Sequence, residues 1–291
     1  MDTICLQCQL KRNLETVRPL GGEAKALEFA KKVMQLIIDA PPEVPSPFFS
    51  PPIADLMESM YGLPIDRLRS EKEMSNRFAL ERLDRIRELV RSVPDPLFAA
   101  LQFAILGNYL DFGALQGQVS FEKLEGMLLE ALQMELDRQV YDALCADLAA
   151  GKKLVYLTDN AGEIVFDRVL AEEIAAKFPN ISITFCVRGG ITLNDATRED
   201  AAGAGIPFPV IDNGNRVPGT MVELLGDEAR TALEQADVVI SKGMGNVETL
   251  WGSPYNVYYA FLVKCQKFVA CFGKPLMTPM LMRESAKEEQ Q

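Results

Sequence analysis

Apolar positions in the first half of the chain recur every three or four residues. In GGEAKALEFAKKVMQLIIDA, Leu27, Phe29, Val33, Leu36 and Ile37 fall at helical spacing among good helix formers, which predicts a helix. The stretch SNRFALERLDRIRELV repeats the pattern with Phe78, Leu80, Leu83, Ile86 and Leu89. Further helical patterns cover residues 53–60, 71–93, 96–110 and 121–150. Between the first two helices, Pro41 to Pro52 form the richest proline run and predict a non-helical connector.

The pattern changes at Gly151. Short apolar runs now alternate with helical stretches: LVYL (154–157), a helix from Glu163 to Phe178, ISITFCV (181–187), a turn and short helix, PFPVI ending at Ile211, and ADVVIS (236–241). FVACF (268–272) is a possible fifth strand. Strands alternating with helices predict an α/β fold with a parallel sheet covered on both faces. The expected division is a helical domain over residues 1–150 and an α/β domain over 151–291, joined without a flexible linker.

Ligands of such sheets bind outside the carboxyl ends of the strands, so the residues there are the candidates for chemistry. The first strand runs into TDNAGE, where Asp159 and Asn160 offer hard oxygen ligands suited to Mg²⁺ or Mn²⁺. The second runs into Arg188, Gly189 and Gly190, then Asn194 and Asp195. The fourth ends in SKGMGN, where Lys242 and backbone N–H groups beside two glycines suit a phosphate. Each motif has a plainer reading. Asp159, Asn160 or Asp195 could cap the helix that follows, and Lys242 could be an exposed loop lysine. Capping explains each strand end alone better than it explains all three together. A G-x-G-x-x-G loop after the first strand and a Walker A loop are both absent.

Composition narrows the chemistry further. The chain has 41 acidic and 30 basic residues, a formal net charge of −11, which argues against nucleic-acid binding through bulk electrostatics. A local cluster of donors can still bind a small anion. There is no histidine, so Ser-His-Asp and Cys-His nucleophile systems and His-ligated metal sites are excluded. No run approaches the roughly 20 apolar residues that span a bilayer. Without a signal-peptide pattern at the N-terminus, the cytoplasm is the expected compartment. Cys5 and Cys8 form a C-x-x-C, but a structural zinc site commonly wants a second such pair, and none follows.

Taken together, DNAGEIVFDRVL, VRGG, LNDATRED, ADVVISKGMGNVETL and GNYLDFG resemble the motifs of the metal-dependent damage-control phosphatases, the domain-of-unknown-function family eighty-nine. With the paired N-terminal cysteines, the resemblance extends to the prokaryotic members that carry such a pair. It implies a helical domain joined to a Rossmann-like, mostly parallel sheet with flanking helices. It further implies a divalent metal (Mn²⁺, Ni²⁺, Co²⁺ or Mg²⁺) held by Asp159, Asn160 and Asp195, with Lys242 and Asn246 near the substrate phosphate. The implied reaction is hydrolysis of phosphate monoesters of small metabolites, sugar phosphates or damaged phosphometabolites, with neither nucleic acid nor membrane as partner. In that scheme Arg188 joins Lys242 on the phosphoryl oxygens, and Asp159 or Glu163 orients the attacking water, with Asp159 acting as nucleophile as the alternative. Asn108, Asp111, Asn194 and Asp167 form a second tier of candidates; Asn108 and Asp111, three apart, share one helix face and belong to the helical half. Two other classes compete: a protein that binds metal and phosphometabolite without turnover, and a carboxyl methyltransferase. Against the latter, TDNAGE is acidic where the adenosyl cofactor's glycine-rich loop belongs.

Overall fold

A computed structural model of the chain describes residues 1–110, 126–128 and 130–284. It begins with a long helix, α1 (Thr3–Asp39), started by Asp2, whose carboxylate accepts from the Cys5 N–H, and broken at Gly22, whose backbone is non-helical. The proline run after it is not the connector the sequence predicts throughout. Ser46–Phe49 form a 3₁₀ turn, and Pro51 and Pro52 lie in the first turn of α2 (Ser50–Tyr61). Proline is tolerated there because a first-turn N–H has no intrahelical partner in any case. The helix expected over 71–93 is two, α3 (Arg69–Leu80) and α4 (Leu83–Arg91), broken at Glu81 and Arg82. Asp95 caps α5 (Pro96–Gly107) by accepting from the Phe98 N–H, and α5 tightens into a 3₁₀ turn over Asn108–Leu110. Asp137 caps α6 (Arg138–Ala150) in the same way. Asp111 lies outside the described residues.

From Lys153 the chain alternates as its apolar runs predict: β1 (Lys153–Leu157), α7 (Glu163–Lys177), β2 (Ser182–Val187), α8 (Arg198–Gly203), β3 (Val210–Asp212), α9 (Asp227–Glu234), β4 (Val238–Lys242) and α10 (Gly243–Leu250). The next strand corrects the sequence reading. VYYAFL forms β5 (Val257–Leu262), whereas FVACF lies in a helix, α11 (Gln266–Phe272), before a final strand, β6 (Pro279–Arg283). A five-residue apolar run does not distinguish strand from buried helix by itself. The sheet order is β3-β2-β1-β4-β5-β6, parallel except for β6. Leu157 of β1 pairs with Cys186 of β2 on one side and Ser241 of β4 on the other.

Successive residues of a strand face opposite sides, and β1 shows how both faces are covered. Leu154 and Tyr156 pack with α3–α7, while Val155 and Leu157 pack with α9–α11. The first of these cores draws on residues 78–148 as well as on the sheet, so the hydrophobic interior crosses residue 150. A smaller core, Val17, Phe29, Val33, Phe49, Ile53 and Met57, holds α1 to α2. α5 crosses α7 closely at Gly107, where an added Cβ would lie 3.1 Å from the Phe166 ring. Gly107→Val is therefore expected to overpack this crossing and destabilise the fold by about 1–3 kcal/mol in urea or guanidinium unfolding. An unchanged midpoint would show that the two helices can separate freely there.

Candidate site at the switch point of the sheet

Strand order reverses between β1 and β4, so the loops leaving those two strands open a crevice at their carboxyl ends. Thr158 to Gly162 leave β1, and Gly243 opens α10 directly after β4. The Asp159 carboxylate lies against Gly243, where φ is +75° and a Cβ would collide with both carboxylate oxygens. Only glycine lets the first turn of α10 come so near a carboxylate, and the positive end of the helix dipole favours a negative charge there.

The capping explanations for the strand-end residues do not hold. The N-cap of α7 is Gly162, not Asp159 or Asn160, and it has no side-chain cap. The N-cap of α8 is Thr197, in a capping box with Asp200, which leaves Asp195 with no capping role. Instead the two segments clasp each other. Asn160 and Asp195 form an isolated antiparallel bridge, Ala161 N–H donates to Asn194 O at 2.9 Å, and Ala196 N–H donates to Asp159 O at 2.8 Å. Leu193, just before them, takes a φ of +43°, a left-handed conformation that costs a non-glycine residue about 1–3 kcal/mol.

The side chains beneath are tied into one buried network. Asn160 donates its amide hydrogens to Asp159 Oδ2 (2.7 Å) and Glu163 Oε2 (2.9 Å). From the end of α5, Asn108 donates to the same two carboxylates at 3.0 and 2.7 Å. Lys242, fully enclosed, donates to Glu163 Oε1 (2.7 Å), Asp167 Oδ1 (2.9 Å) and Ala104 O (2.7 Å). Arg188 donates to Asp195 Oδ2 at 2.7 Å and, through Nη2, to Thr158 O and Asn246 Oδ1, both at 3.2 Å. Asn246 in turn donates to Thr158 O and Lys242 O. The structure thus brings together every described candidate, but in two layers.

The upper layer faces a cleft of about 170 Å³ lined by Asp159, Asn160, Asn194 and Asp195. The lower layer is Glu163, Asp167, Lys242, Arg188 and Asn246, all buried. This revises the roles expected for Lys242 and Glu163. Lys242 has its three hydrogens on protein acceptors, so it is a strut under the site and not a free cation for phosphate. Glu163 is enclosed by Asn108, Asn160 and Lys242, which leaves Asp159 as the carboxylate of the pair that meets the cleft. Arg188 retains one enclosed guanidinium nitrogen, Nη1, with no partner among the described residues. The cleft also has a wall that strand-end reasoning did not reach: Arg12 from α1, Ser46 and Ser50 before and at the start of α2, and Lys264 just past β5. Lys264 sits at a strand's carboxyl end, so a correctly placed β5 would have flagged it. Arg12 arrives from a helix far away in sequence, and no local pattern marks it.

The donor set fits a hard divalent cation. It offers carboxylate oxygens on Asp159 and Asp195 and the carbonyl oxygen of Asn160, whose amide hydrogens are already committed. Among the described residues no cluster of three or more His, Cys, Asp or Glu side chains is arranged to hold a metal. Cys5 and Cys8, both described, belong to no such cluster.

A doubly wound sheet with an oxygen-rich cleft at its switch point defines a Rossmann-like α/β protein. The model of the damage-control phosphatase ARMT1-like domain matches residues 1–278, and the chain belongs to that family. An uncharacterized protein of Methanocaldococcus jannaschii is 31% identical over 96% of this chain and 94% of its own length. A damage-control phosphatase of Archaeoglobus fulgidus is 36% identical over 69% of this chain and 70% of its own. The crystal structure of a DUF89 family protein from Pyrococcus horikoshii superposes with a TM-score of 0.83 at 25% identity, covering 98% of this chain and 99% of that one. Among the described residues no helix is long and apolar enough to cross a membrane.

Two measurements test the buried strut. Removing the cation with Lys242→Met strands two buried carboxylates and is expected to cost about 3–5 kcal/mol of stability. The second is pH dependence. Burial raises the Asp167 carboxyl to about 7, with Lys242 opposing the rise and Glu163 adding to it. Its unfolded value is lower, 3.8, so the folded chain holds the extra proton between the two. Asp167 therefore supports folding below pH ~4 and loses that contribution as pH climbs through ~7. The Lys242 ammonium is raised above its ordinary value, burial working against two carboxylates that prevail, and does not titrate in this window. The stability of the wild type relative to Asp167→Asn is expected to fall from pH 4 to 8; a flat or rising difference would contradict the assignment.

Proposed function

We propose that the chain is a divalent-metal-dependent phosphatase that hydrolyses phosphate monoesters of small metabolites. One observation carries the reading: Asp159, Asn160 and Asp195 line a single cleft whose other wall brings Arg12 and Lys264, beside a Glu248 carboxylate that Lys267 pairs at 2.9 Å. Hard oxygen donors on one side and cations on the other suit a phosphoryl group held between them. Relatives named as damage-control phosphatases support the reaction class.

Asp159, Asn160 and Asp195 would hold the metal. When bound, a divalent cation supplies Lewis-acid polarisation of the phosphoryl oxygens. Arg12 and Lys264 neutralise charge that spreads over those oxygens in the transition state. Asp159, the half-buried carboxylate of the Asp159–Glu163 pair, orients the attacking water and can accept its proton. Asn108, Asn160 and Gly243 fix where that carboxylate lies. Arg188 and Asn246 hold Asp195 and the β1 loop in place without reaching the substrate.

Phosphate release from p-nitrophenyl phosphate or fructose 1-phosphate, with Mn²⁺, Co²⁺ or Ni²⁺ against a metal-free control, tests the activity. Release that depends on the added metal supports the reading. No release across several phosphate esters, with the metal still bound, would leave a binding protein instead. Asp159→Ala and Asp195→Ala are expected to remain folded and to lower metal-dependent turnover by roughly a hundredfold or more. Wild-type turnover in either variant would refute the ligand set. Lys264→Ala is expected to lower turnover while leaving metal affinity within about threefold, because it sits on the phosphate side.

A further inference from the structure

The cleft of about 170 Å³ is too small for a whole phosphometabolite, since pockets for small ligands run to roughly 300–1,000 Å³. It has room for the reacting group. A second cavity, of about 450 Å³, opens between α3 and the β2–α8 segment. Leu193 lines both spaces. It lies immediately before Asn194 and Asp195, on a left-handed backbone with φ of +43°, and is common to the two linings.

The wall opposite Leu193 is fastened to the site as well. Asn76 of α3 accepts from the Gly162 N–H at 2.6 Å and donates to Asp200 Oδ1 at 2.9 Å. One side chain therefore joins the metal loop, the cavity wall and α8. Lys72 pairs with Asp200 at 2.7 Å, closing the same wall.

We infer that this second cavity takes the leaving-group half of the substrate, and that Leu193 is the threshold between it and the phosphoryl cleft. The inference rests on the phosphatase reading for its chemistry and on the shared lining for its geometry. Lining charges say what the leaving group is. Acidic side chains outnumber basic ones there, five to three, and Lys72 and Arg69 are already paired with Asp200 and Asp66. Leu80, Ile191 and Leu193 add an apolar strip. Such a surface suits a neutral, hydroxyl-bearing carbon skeleton, whose hydroxyls donate to carboxylates, and repels a second phosphate.

Gly203 gives a clean test. It lines the cavity, and a Cβ added to it meets nothing within 4 Å, so a side chain can start there without a clash at its first atom. Binding is read on the Mn²⁺-loaded protein from phosphate-release kinetics, as KM or a competitive inhibition constant, and by titration calorimetry for any ligand it does not hydrolyse, with fructose 1-phosphate, fructose 1,6-bisphosphate and inorganic phosphate as probes. In the wild type the monophosphate is expected to bind at least roughly tenfold more tightly than the bisphosphate. Gly203→Phe should weaken the monophosphate by roughly tenfold or more while inorganic phosphate stays within about twofold. Gly203→Ala, which adds one methyl group, should leave all three affinities unchanged. Fructose 1-phosphate that binds equally well to Gly203→Phe, or that binds neither protein, overturns the inference, as does an equal loss of both ligands. Tight binding without phosphate release would retain the pocket and remove the phosphatase reading, so the two failures are distinguishable.

Discussion

Lys242 is held under the β1 and β4 loops by three hydrogen bonds, two to buried carboxylates and one to the carbonyl of Ala104 in α5. The geometry above it depends on this cation. It neutralises Glu163, whose other oxygen accepts from both Asn108 and Asn160. Those amides in turn reach Asp159. A buried charge pair of this kind contributes little net stability, because desolvation offsets most of the attraction. Its value here is positional: it ties α5, α7 and β4 to one point and turns Asn160 and Asp159 toward the cleft.

A second pair works beside it. Arg188 reaches Asp195 from the end of β2, and Asn246 links Arg188 to the backbone of Thr158 and Lys242. Each cleft-facing oxygen donor therefore has a partner at its back that fixes its orientation, the arrangement by which outer groups tune a metal site. The helices before residue 150 are part of this support and not an appendage. α5 supplies Asn108 and Ala104, α3 supplies Asn76, and α1 closes the cleft with Arg12.

Much of this was legible in the sequence, for physical reasons. β1, β2 and β4 are buried on both faces and so read as continuous apolar runs between turns. Strand-end position then singled out Asp159, Asn160 and Asp195 before any contact was known. β5 was missed because FVACF, a short apolar run, resembles a strand; Cys265 and Gly273 bound it as a helix. That slip also concealed Lys264. The depth of Lys242 had no sequence signal, since a lysine ending a strand reads the same whether it faces solvent or two carboxylates. Leu193 and Gly203 gained meaning only from the cavities they line.

Lys242 and Glu163 act by orienting the oxygen donors above them. Equilibrium binding of Mn²⁺, followed by electron paramagnetic resonance of the free ion, tests this most directly in Glu163→Gln. The substitution keeps the shape but puts an amide where an acceptor of three partners stood. The variant is expected to fold and to bind Mn²⁺ about 10–100-fold more weakly. An affinity equal to that of the wild type would contradict it.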